Sequence, residues 1–191
     1  MIPMPEALIG SIRAAAAIAA FVSGGLLSPS TAGAQNADPA DVASIDAIIT
    51  AIYDVISGDA GELRDWDRWR TLFLAEATLS PTGPTRDGRW GRAIMTPDSY
   101  IERAGASVER TGFVEAEVGR VTEQFGNIAH VFSTYVSFRS RSDTRPFQRG
   151  INSFQLLNDG HRWWVVSVFW QAESPDYPIP SKYVGTIGDA S

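Results

Sequence analysis

The sequence predicts an α+β fold in which about three N-terminal helices close a pocket against a curved antiparallel sheet. Up to about residue 111, apolar residues recur at the spacing of a helix face. Beyond Gly112 they alternate with polar residues over several long segments, and residues typical of turns separate those segments. Helices gathered in one part of the chain and strands in another are typical of α+β proteins.

The first helix is predicted to begin at Asp38. An aspartate there can cap the helix, and Pro39 suits its first position. Apolar residues then recur every three or four positions and form one face of the helix: Val42, Ile45, Ile49, Ile52 and Ile56. The pair Ser57-Gly58 ends it.

Two further helices and a short strand follow. Asp65 can cap a second helix, "WDRWRTLFLAEA", which carries large apolar residues on one face: Trp66, Trp69, Leu72 and Phe73. The stretch "ATLSPTG" predicts a short strand that runs into a loop. Thr96 then caps a third helix, which is predicted to end near Gly112.

Two of the long strands have informative faces. In residues 128–138, alternation places these side chains on one face: Ile128, His130, Phe132, Thr134, Val136 and Phe138. The other face of that strand carries Ala129, Val131, Ser133, Tyr135 and Ser137. The last strand is apolar on both faces, with Trp164, Val166, Val168 and Trp170 on one and Trp163, Val165 and Phe169 on the other. Such a strand is expected to be covered on both sides.

Composition and charge exclude several classes of protein. The formal net charge is −6 and no basic run is present, so the sequence lacks the charge pattern of a nucleic-acid-binding protein. The absence of cysteine excludes disulfides, thiolate chemistry and cysteine-ligated metal sites. With only two histidines, a histidine-rich metal site is excluded as well, and we expect neither a metal nor a cofactor.

The first 34 residues have the pattern of a secretory signal peptide. Arg13 precedes a run of small and apolar residues over 14–27, and Ala32-Gly33-Ala34 places small residues before a cleavage site at Gln35. The run is too short and too interrupted for a permanent membrane helix, so we expect no membrane anchor. We predict a periplasmic or secreted protein with four segments: a signal peptide (1–34), a short linker (35–40), a domain (41–185) and a tail (186–191).

Three stretches resemble the nuclear transport factor 2-like superfamily, which includes SnoaL-like polyketide cyclases, scytalone dehydratases and ketosteroid isomerases. They are "IDAIITAIYDVI", "RDWDRWRTLF" with "ATL" behind it, and "DGHRWWVVSVFWQ". The resemblance covers essentially the whole predicted mature chain. It implies a cone-shaped half-barrel, with a deep apolar pocket whose mouth the helices close, and often a homodimer through the back of the sheet.

His130 is the candidate base. It shares its predicted face with large apolar residues, and alternation in the next strand could place Asn152 near it. Burial would shape the pKa of such an imidazole, as a base that works near neutral pH requires. The resemblance to scytalone dehydratases implies a catalytic set, because those enzymes use a strand histidine, an asparagine on the next strand and a Tyr-Asp pair on the first helix around an ordered water. The matching residues here are His130, Asn152, Tyr53 and Asp54.

This sequence departs from the scytalone dehydratase pattern in two respects. Their second catalytic histidine has no counterpart in this sequence, where "ERAGAS" occupies the region. Helical phase also separates the Tyr-Asp pair, because Tyr53 lies near the apolar stripe of the first helix and Asp54 lies toward the solvent side.

Carboxylates are weaker candidates than His130 for the catalytic base. Ketosteroid isomerases need a carboxylate base and a protonated acid in an apolar site. Glu115 and Glu117 share a predicted face with Val121 and Phe125, so one of them could face inward, although such a row is more often solvated. The acids of "RDWDRW" are interpreted mainly as helix caps.

We therefore expect an exported protein that binds or transforms a small apolar molecule in a pocket with aromatic walls: Trp170, Phe132, Phe154 and Trp164. As an enzyme it would be a cofactor-free lyase, isomerase or cyclase. The alternatives are a non-catalytic ligand-binding or assembly module, and a structural periplasmic dimer whose pocket is filled by side chains. In a dimer, we expect two chains to bury the face that bears Tyr135, Trp163, Val165 and Phe169.

Overall fold

Two short helices begin the computed structural model, which describes residues 36–184. Helix α1 spans Pro39–Val42 and is capped by Asp38, as predicted. Helix α2 spans Ile45–Ile56, so the chain forms two helices where the sequence predicted one. The break occurs at Ser44, because its extended backbone ends α1 and its hydroxyl accepts a hydrogen bond from the Ala47 N–H at 3.0 Å, which caps α2.

The second and third predicted helices are both present. Helix α3 spans Trp66–Thr71 and is capped by Asp65, as predicted. It is shorter than predicted, because residues 73–77 of the predicted helix belong to the first strand, Phe73–Pro84. The third predicted helix forms in three parts: helix α4 (Pro97–Tyr100), a π-helical turn (Ile101–Gly105) and helix α5 (Ala106–Thr111). π-helical turns inside helices occur frequently at functional sites. This one follows directly after Tyr100.

Six strands form one curved sheet, and their bounds are β1 (Phe73–Pro84), β2 (Trp90–Arg92), β3 (Val114–Phe125), β4 (Ile128–Phe138), β5 (Gln148–Asn158) and β6 (Trp163–Ala172). Their order is β2-β1-β6-β5-β4-β3. β1 pairs with β6 in parallel and the other neighbours pair antiparallel, so the sheet is mixed where the sequence predicted an antiparallel one. Parallel pairing is possible because α4, α5 and β3–β5 supply the long connection that it requires. The α+β class with a curved, open sheet is confirmed.

The helices cover one face of the sheet, called here the inner face. Helix α2 contacts it through Tyr53, whose hydroxyl lies 2.7 Å from Ser133 Oγ. The β4 side chains of this face are all buried: Ala129, Val131, Ser133, Tyr135 and Ser137. The alternation predicted for β4 is therefore correct. The set that includes His130 lies on the opposite, outer face.

A β-bulge in β3 changes which side chains share a face. The register shifts between Glu117 and Gly119, so strict alternation fails across this point. Glu115 and Glu117 lie on the inner face, because they pair with Ser137 and Tyr135. Val121 and Phe125 lie on the outer face, opposite Phe132 and Ile128.

A second bulge, at Val166, has the same effect in β6. The inner face of β6 carries Trp163, Val165, Val168 and Trp170, in place of the two alternating sets that the sequence predicted. The face predicted for a dimer is therefore wrong. Trp163, Val165 and Tyr135 are core residues, with exposed fractions of 6%, 0% and 2%, whereas Phe169 lies on the outer face and is 45% exposed.

The segment after β6 crosses the outer face. The Tyr183 carbonyl accepts a hydrogen bond from the Thr134 hydroxyl at 2.6 Å. The Tyr183 ring packs edge-on against Phe132, with ring centroids 5.0 Å apart. This segment therefore covers part of the apolar row on the outer side of β4.

Among the residues that the structure describes, no helix is both long and apolar enough to span a bilayer. The predicted signal peptide (1–34) and the predicted tail (186–191) lie outside the described residues.

Candidate functional site

A cavity of about 80 Å³ lies between the helices and the inner face of the sheet. Most of its wall is apolar and comes from Ile52, Ile56, Trp69, Leu79, Phe113, Phe154, Val168 and Trp170. Three polar side chains complete the lining: Tyr100, Glu115 and Asn152. An apolar wall with a few polar groups is typical of sites that bind small molecules.

Glu115 brings a carboxyl group to this cavity. It lies near the start of β3, opposite Ser137 of β4, whose hydroxyl donates a hydrogen bond to Glu115 Oε1 at 3.2 Å. The side chain is only partly accessible, and its carboxyl group lies deep in the protein. Burial raises the pKa of Glu115 to about 7, while hydrogen bonds with Ser137 and Asn152 act in the opposite direction.

The chain around Glu115 is held by local structure. Gly112 precedes β3 with φ at +73°, and a Cβ at this position would lie 2.0 Å from the Arg139 carbonyl oxygen. Only glycine fits such a close approach. The Ser57 hydroxyl, at the end of α2, accepts a hydrogen bond from the Glu115 N–H at 2.9 Å. The start of β3 is therefore fixed against the helix that covers the cavity.

A hydrogen-bonded network extends from Asn152 away from the cavity. Asn152 Nδ2 donates to the Tyr53 hydroxyl at 3.1 Å, and that hydroxyl lies 2.7 Å from Ser133 Oγ. The Ser133 hydroxyl in turn donates to Glu117 Oε1. Burial raises the pKa of Tyr53 well above its usual range, and the nearby Glu115 carboxyl raises it further. Tyr53 is therefore a neutral phenol at any physiological pH.

Tyr100 is the third polar residue of the lining. Its ring stacks on Trp69, with centroids 5.3 Å apart and an interplanar angle of 27°. Burial, followed by the nearby Glu115 carboxyl, raises the pKa of Tyr100 above its usual range. Its neutral hydroxyl is able to donate or accept a hydrogen bond at the cavity wall.

His130 lies outside this cavity. It is on the outer face, where its Nε2 lies 3.0 Å from Ser153 Oγ and its ring centroid lies 5.7 Å from that of Phe132. The register of β4 and β5 pairs Ser133, not His130, with Asn152. The expectation that Asn152 lies near His130 is therefore wrong, because the two side chains are on opposite faces of the sheet. The catalytic role of His130 stays a prediction, without contact to the inner cavity.

The other predicted site residues are also divided between locations. Asp54 is exposed on α2 and forms an ion pair with Arg68 at 2.5 Å. Trp164 lies at the β5–β6 turn, where its Nε1 donates to Asp159 at 2.7 Å and Arg162 stacks on its ring. Three predicted residues line the inner cavity, namely Asn152, Phe154 and Trp170, and a fourth, Tyr53, contacts Asn152 from behind the cavity wall. The structure places the other four elsewhere: His130, Asp54, Phe132 and Trp164.

A larger hollow of about 520 Å³ lies on the outer face, under the segment that follows β6. Aromatic side chains dominate its wall: Phe132, Phe169, Trp170, Tyr177 and Tyr183. Its acidic residue, Glu173, is paired with Arg149 at 3.1 Å. In the inner cavity, by contrast, the Glu115 carboxyl has no cationic partner within residues 36–184.

Glu115 is the functional candidate that sequence reasoning ranked too low. The alternation of Glu115 and Glu117 with apolar neighbours was recognised, but a row of acids on a strand is more often solvated. Phe113 was the available sequence signal. It lies two positions before Glu115, so in a strand both side chains point to the same face, and both line the cavity. Because of the bulge beyond Glu117, Val121 and Phe125 do not share a face with Glu115.

Solved structures with a similar fold are of several kinds. A protein of unknown function with a cystatin-like fold, from Nostoc punctiforme, is 10% identical, with a TM-score of 0.52 over 69% of this chain and 90% of its own. A protein from Novosphingobium aromaticivorans, described as the beta subunit of an aromatic-ring-hydroxylating dioxygenase, is 15% identical, with a TM-score of 0.54 over 69% and 88%. LinA is 8% identical, with a TM-score of 0.51 over 69% and 85%.

These likenesses confirm the fold that the sequence resemblance implied, the nuclear transport factor 2-like or cystatin-like fold. At such low identities they show the fold alone. No protein-family model matches the sequence, and no curated protein sequence matches it.

Proposed function

We propose that the protein binds a small, mainly apolar molecule in the inner cavity and moves a proton to or from it through Glu115. The reaction would be an acid–base step of a lyase, isomerase or cyclase. The observation that carries this proposal is the buried carboxyl of Glu115, whose pKa is raised to about 7 in the wall of an apolar cavity. Strongly perturbed carboxyl groups in cavities are candidates for catalysis.

A pKa near 7 suits both directions of proton transfer. At neutral pH the carboxylate and the carboxylic acid of Glu115 are both populated, so the group can remove one proton and return another. The apolar wall also excludes water, which strengthens the electrostatic interactions within the cavity. His130 has no such contact with the cavity, so Glu115 replaces it as the proposed base.

Asn152 and Tyr100 would orient the molecule. Both line the cavity beside Glu115, and their polar atoms can hold a hydroxyl or carbonyl group while the aromatic wall encloses the rest. Tyr53 would act behind Asn152, because its hydroxyl contacts Asn152 and Ser133. The small volume of the cavity limits the ligand to about the size of one ring.

Titration of the Glu115 carboxyl tests the proposal. In protein labelled with ¹³C at the glutamate carboxyls, one resonance should titrate near pH 7, because burial raises the pKa of Glu115 to about 7. This resonance should be absent in Glu115→Gln and should shift when a single-ring compound fills the cavity. If every glutamate carboxyl titrates below about pH 5.5, near the ordinary value, the proposed base is wrong.

A homodimer through the outer face is a second proposal. It is supported by exposed apolar side chains on that face: Val166, Phe169 and Tyr177, which are 37%, 45% and 51% exposed. We expect light scattering to give a dimer mass at micromolar concentration and Phe169→Glu to give a monomer. Trp163→Glu would be uninformative, because Trp163 is in the core and the variant would unfold. A parent protein that is monomeric under these conditions would contradict the proposal.

A further inference from the structure

In the hydrogen-bonded network behind Asn152, the ion pair of Glu117 determines which group donates and which accepts in each hydrogen bond. Arg120 Nε donates to Glu117 Oε1 at 2.8 Å, and Arg120 Nη2 lies 2.5 Å from Glu117 Oε2. This two-point contact is an ion pair between the guanidinium and the Glu117 carboxylate. An ionised carboxylate only accepts hydrogen bonds, so the hydroxyl of Ser133 must donate its single proton to Glu117.

The donor and acceptor roles of Tyr53 and Asn152 follow from the role of Ser133. Because the Ser133 proton is used, the Tyr53 hydroxyl must donate its own proton to Ser133 Oγ, 2.7 Å away. With that proton used, the Tyr53 oxygen can only accept, and it accepts from Asn152 Nδ2 at 3.1 Å. The amide orientation of Asn152 follows from the network. Its NH₂ group points toward Tyr53 and is also the group that can donate to the Glu115 carboxylate, whereas its Oδ1 points away from Tyr53.

The cavity is therefore left with an acceptor at this position. Within residues 36–184, Asn152 Oδ1 has no hydrogen-bond partner, and Asn152 lines the cavity. Tyr53 has no proton to offer a ligand. The hydroxyl of Tyr100 and the carboxyl of Glu115, when protonated, can each donate or accept. Neither therefore distinguishes a ligand that donates a hydrogen bond from one that accepts it. Asn152 Oδ1 can only accept a hydrogen bond, so it favours a ligand that donates one.

We propose that the inner cavity selects a small uncharged molecule that donates a hydrogen bond to Asn152 Oδ1, such as a single-ring alcohol or phenol. This inference deepens the proposed function and rests on the same cavity. The volume of about 80 Å³ is about half the roughly 150 Å³ of an engineered cavity that binds benzene, so even a single ring requires the walls to move apart, and a larger molecule would require more. A charged group would lose its hydration in an apolar cavity at a large free-energy cost.

Phenol and toluene are matched probes for this selection, because they have the same shape and differ in one hydroxyl. Phenol loses hydrogen bonds to water when it is buried, so a cavity without an unpaired acceptor would bind toluene more tightly. With Asn152 Oδ1 available, the full-length protein at pH 6 should bind phenol about tenfold more tightly than toluene. Dissociation constants follow from NMR titration of the indole N–H signals.

Ser133→Ala tests the direction of the network. Tyr53 then keeps its proton and can donate it to Asn152 Oδ1 after a half-turn of the amide, which presents NH₂ to the cavity. At pH 6 most of Glu115 is protonated, since its pKa is about 7, so it does not oppose this half-turn. The preference for phenol should disappear. If Ser133→Ala does not fold, Glu117→Leu serves in its place, because it also removes the acceptor that orients Ser133.

The outcomes separate this inference from the proposed function. Equal or tighter binding of toluene to the parent protein overturns the inference, and so does an unchanged preference for phenol in a folded Ser133→Ala. Neither result depends on proton transfer. Conversely, a preference for phenol in a protein whose Glu115 titrates at an ordinary pH would support the inference and contradict the proposed function.

Discussion

Replacing Glu115 with glutamine should make the protein more stable than the parent by about 3 kcal/mol at pH 8 and by only about 1 kcal/mol near pH 5.5. The pKa of Glu115 is raised from an ordinary 4.5 to about 7 in the folded state. Between these two values the unfolded chain has released this proton and the folded chain still holds it. The free energy of unfolding therefore falls as pH rises through this window, and stays lowered above it.

Chemical denaturation of the parent and of Glu115→Gln at the two pH values measures this difference directly. Glutamine resembles the protonated carboxyl in shape and carries no charge to bury, so the variant should lack the loss of stability. Glu123→Gln is the matched control. Glu123 is exposed on the same strand, and its replacement should change stability equally little at both pH values. A Glu115→Gln protein that is less stable than the parent at pH 8 would show that the carboxyl is not buried as a costly charge.

Such a cost suggests that Glu115 has a role other than stability. A stable fold would place an apolar residue or an amide at this position, since a carboxylate there opposes folding at neutral pH. Residues that conflict with the rest of the core are expected mainly at functional sites. The conflict is specific to Glu115, because the neighbouring acid Glu117 is ion-paired with Arg120.

The helix starts were predictable from the sequence because capping is a local property. Asp38, Asp65 and Thr96 each cap the helix that the sequence assigned to them. The split of the first predicted helix results from Ser44, whose capping role competes with continuation of the helix through Ala43. Parallel pairing of β1 with β6 was not predictable in this way, because pairing depends on contacts between distant parts of the chain.

The faces of the strands were only half predictable. Alternation in β4 separated two sets correctly, yet it did not indicate which set the helices cover. The apolar set with His130 and Phe132 suggested a core, but it faces outward, where Tyr183 and the segment that follows β6 cover part of it. The buried set includes Ser133 and Ser137, small polar residues whose hydrogen-bond partners, Tyr53, Glu117 and Glu115, come from other elements of the chain.

Bulges set a further limit on what the sequence could show about the site. A single additional residue in β3 or β6 moves every later side chain to the opposite face. Trp163 and Trp170 therefore both lie on the inner face, although strict alternation assigns them to opposite faces. Three of the eight predicted site residues line the cavity, and Tyr53 lies directly behind one of them, Asn152. The sequence showed that Glu115 could face inward but did not indicate its role.

Proton transfer supplies the largest effect that we expect, a loss of about 10²–10⁴ in rate for Glu115→Gln. The assay follows exchange of carbon-bound hydrogen for deuterium in D₂O by proton NMR, using single-ring ketones with and without an adjacent hydroxyl group. Glutamine cannot accept a proton in this pH range, so exchange should fall close to the level without protein. In the parent, the rate should rise with pH and level off above about pH 7, because the carboxylate of Glu115 is the base and its pKa is about 7.

The variant His130→Ala decides between the two candidate bases. His130 contacts Ser153 on the outer face and does not touch the inner cavity, so its removal should leave the exchange rate within about twofold, which is far less than a general base contributes. Glu123→Gln should behave in the same way. A loss of rate in His130→Ala that is absent in Glu115→Gln would return the catalytic role to the histidine and move the site to the outer face. If both variants exchange as fast as the parent, the cavity binds without acting as a base. In that case the raised pKa of Glu115 would reflect only the cost of placing a carboxyl group in an apolar wall.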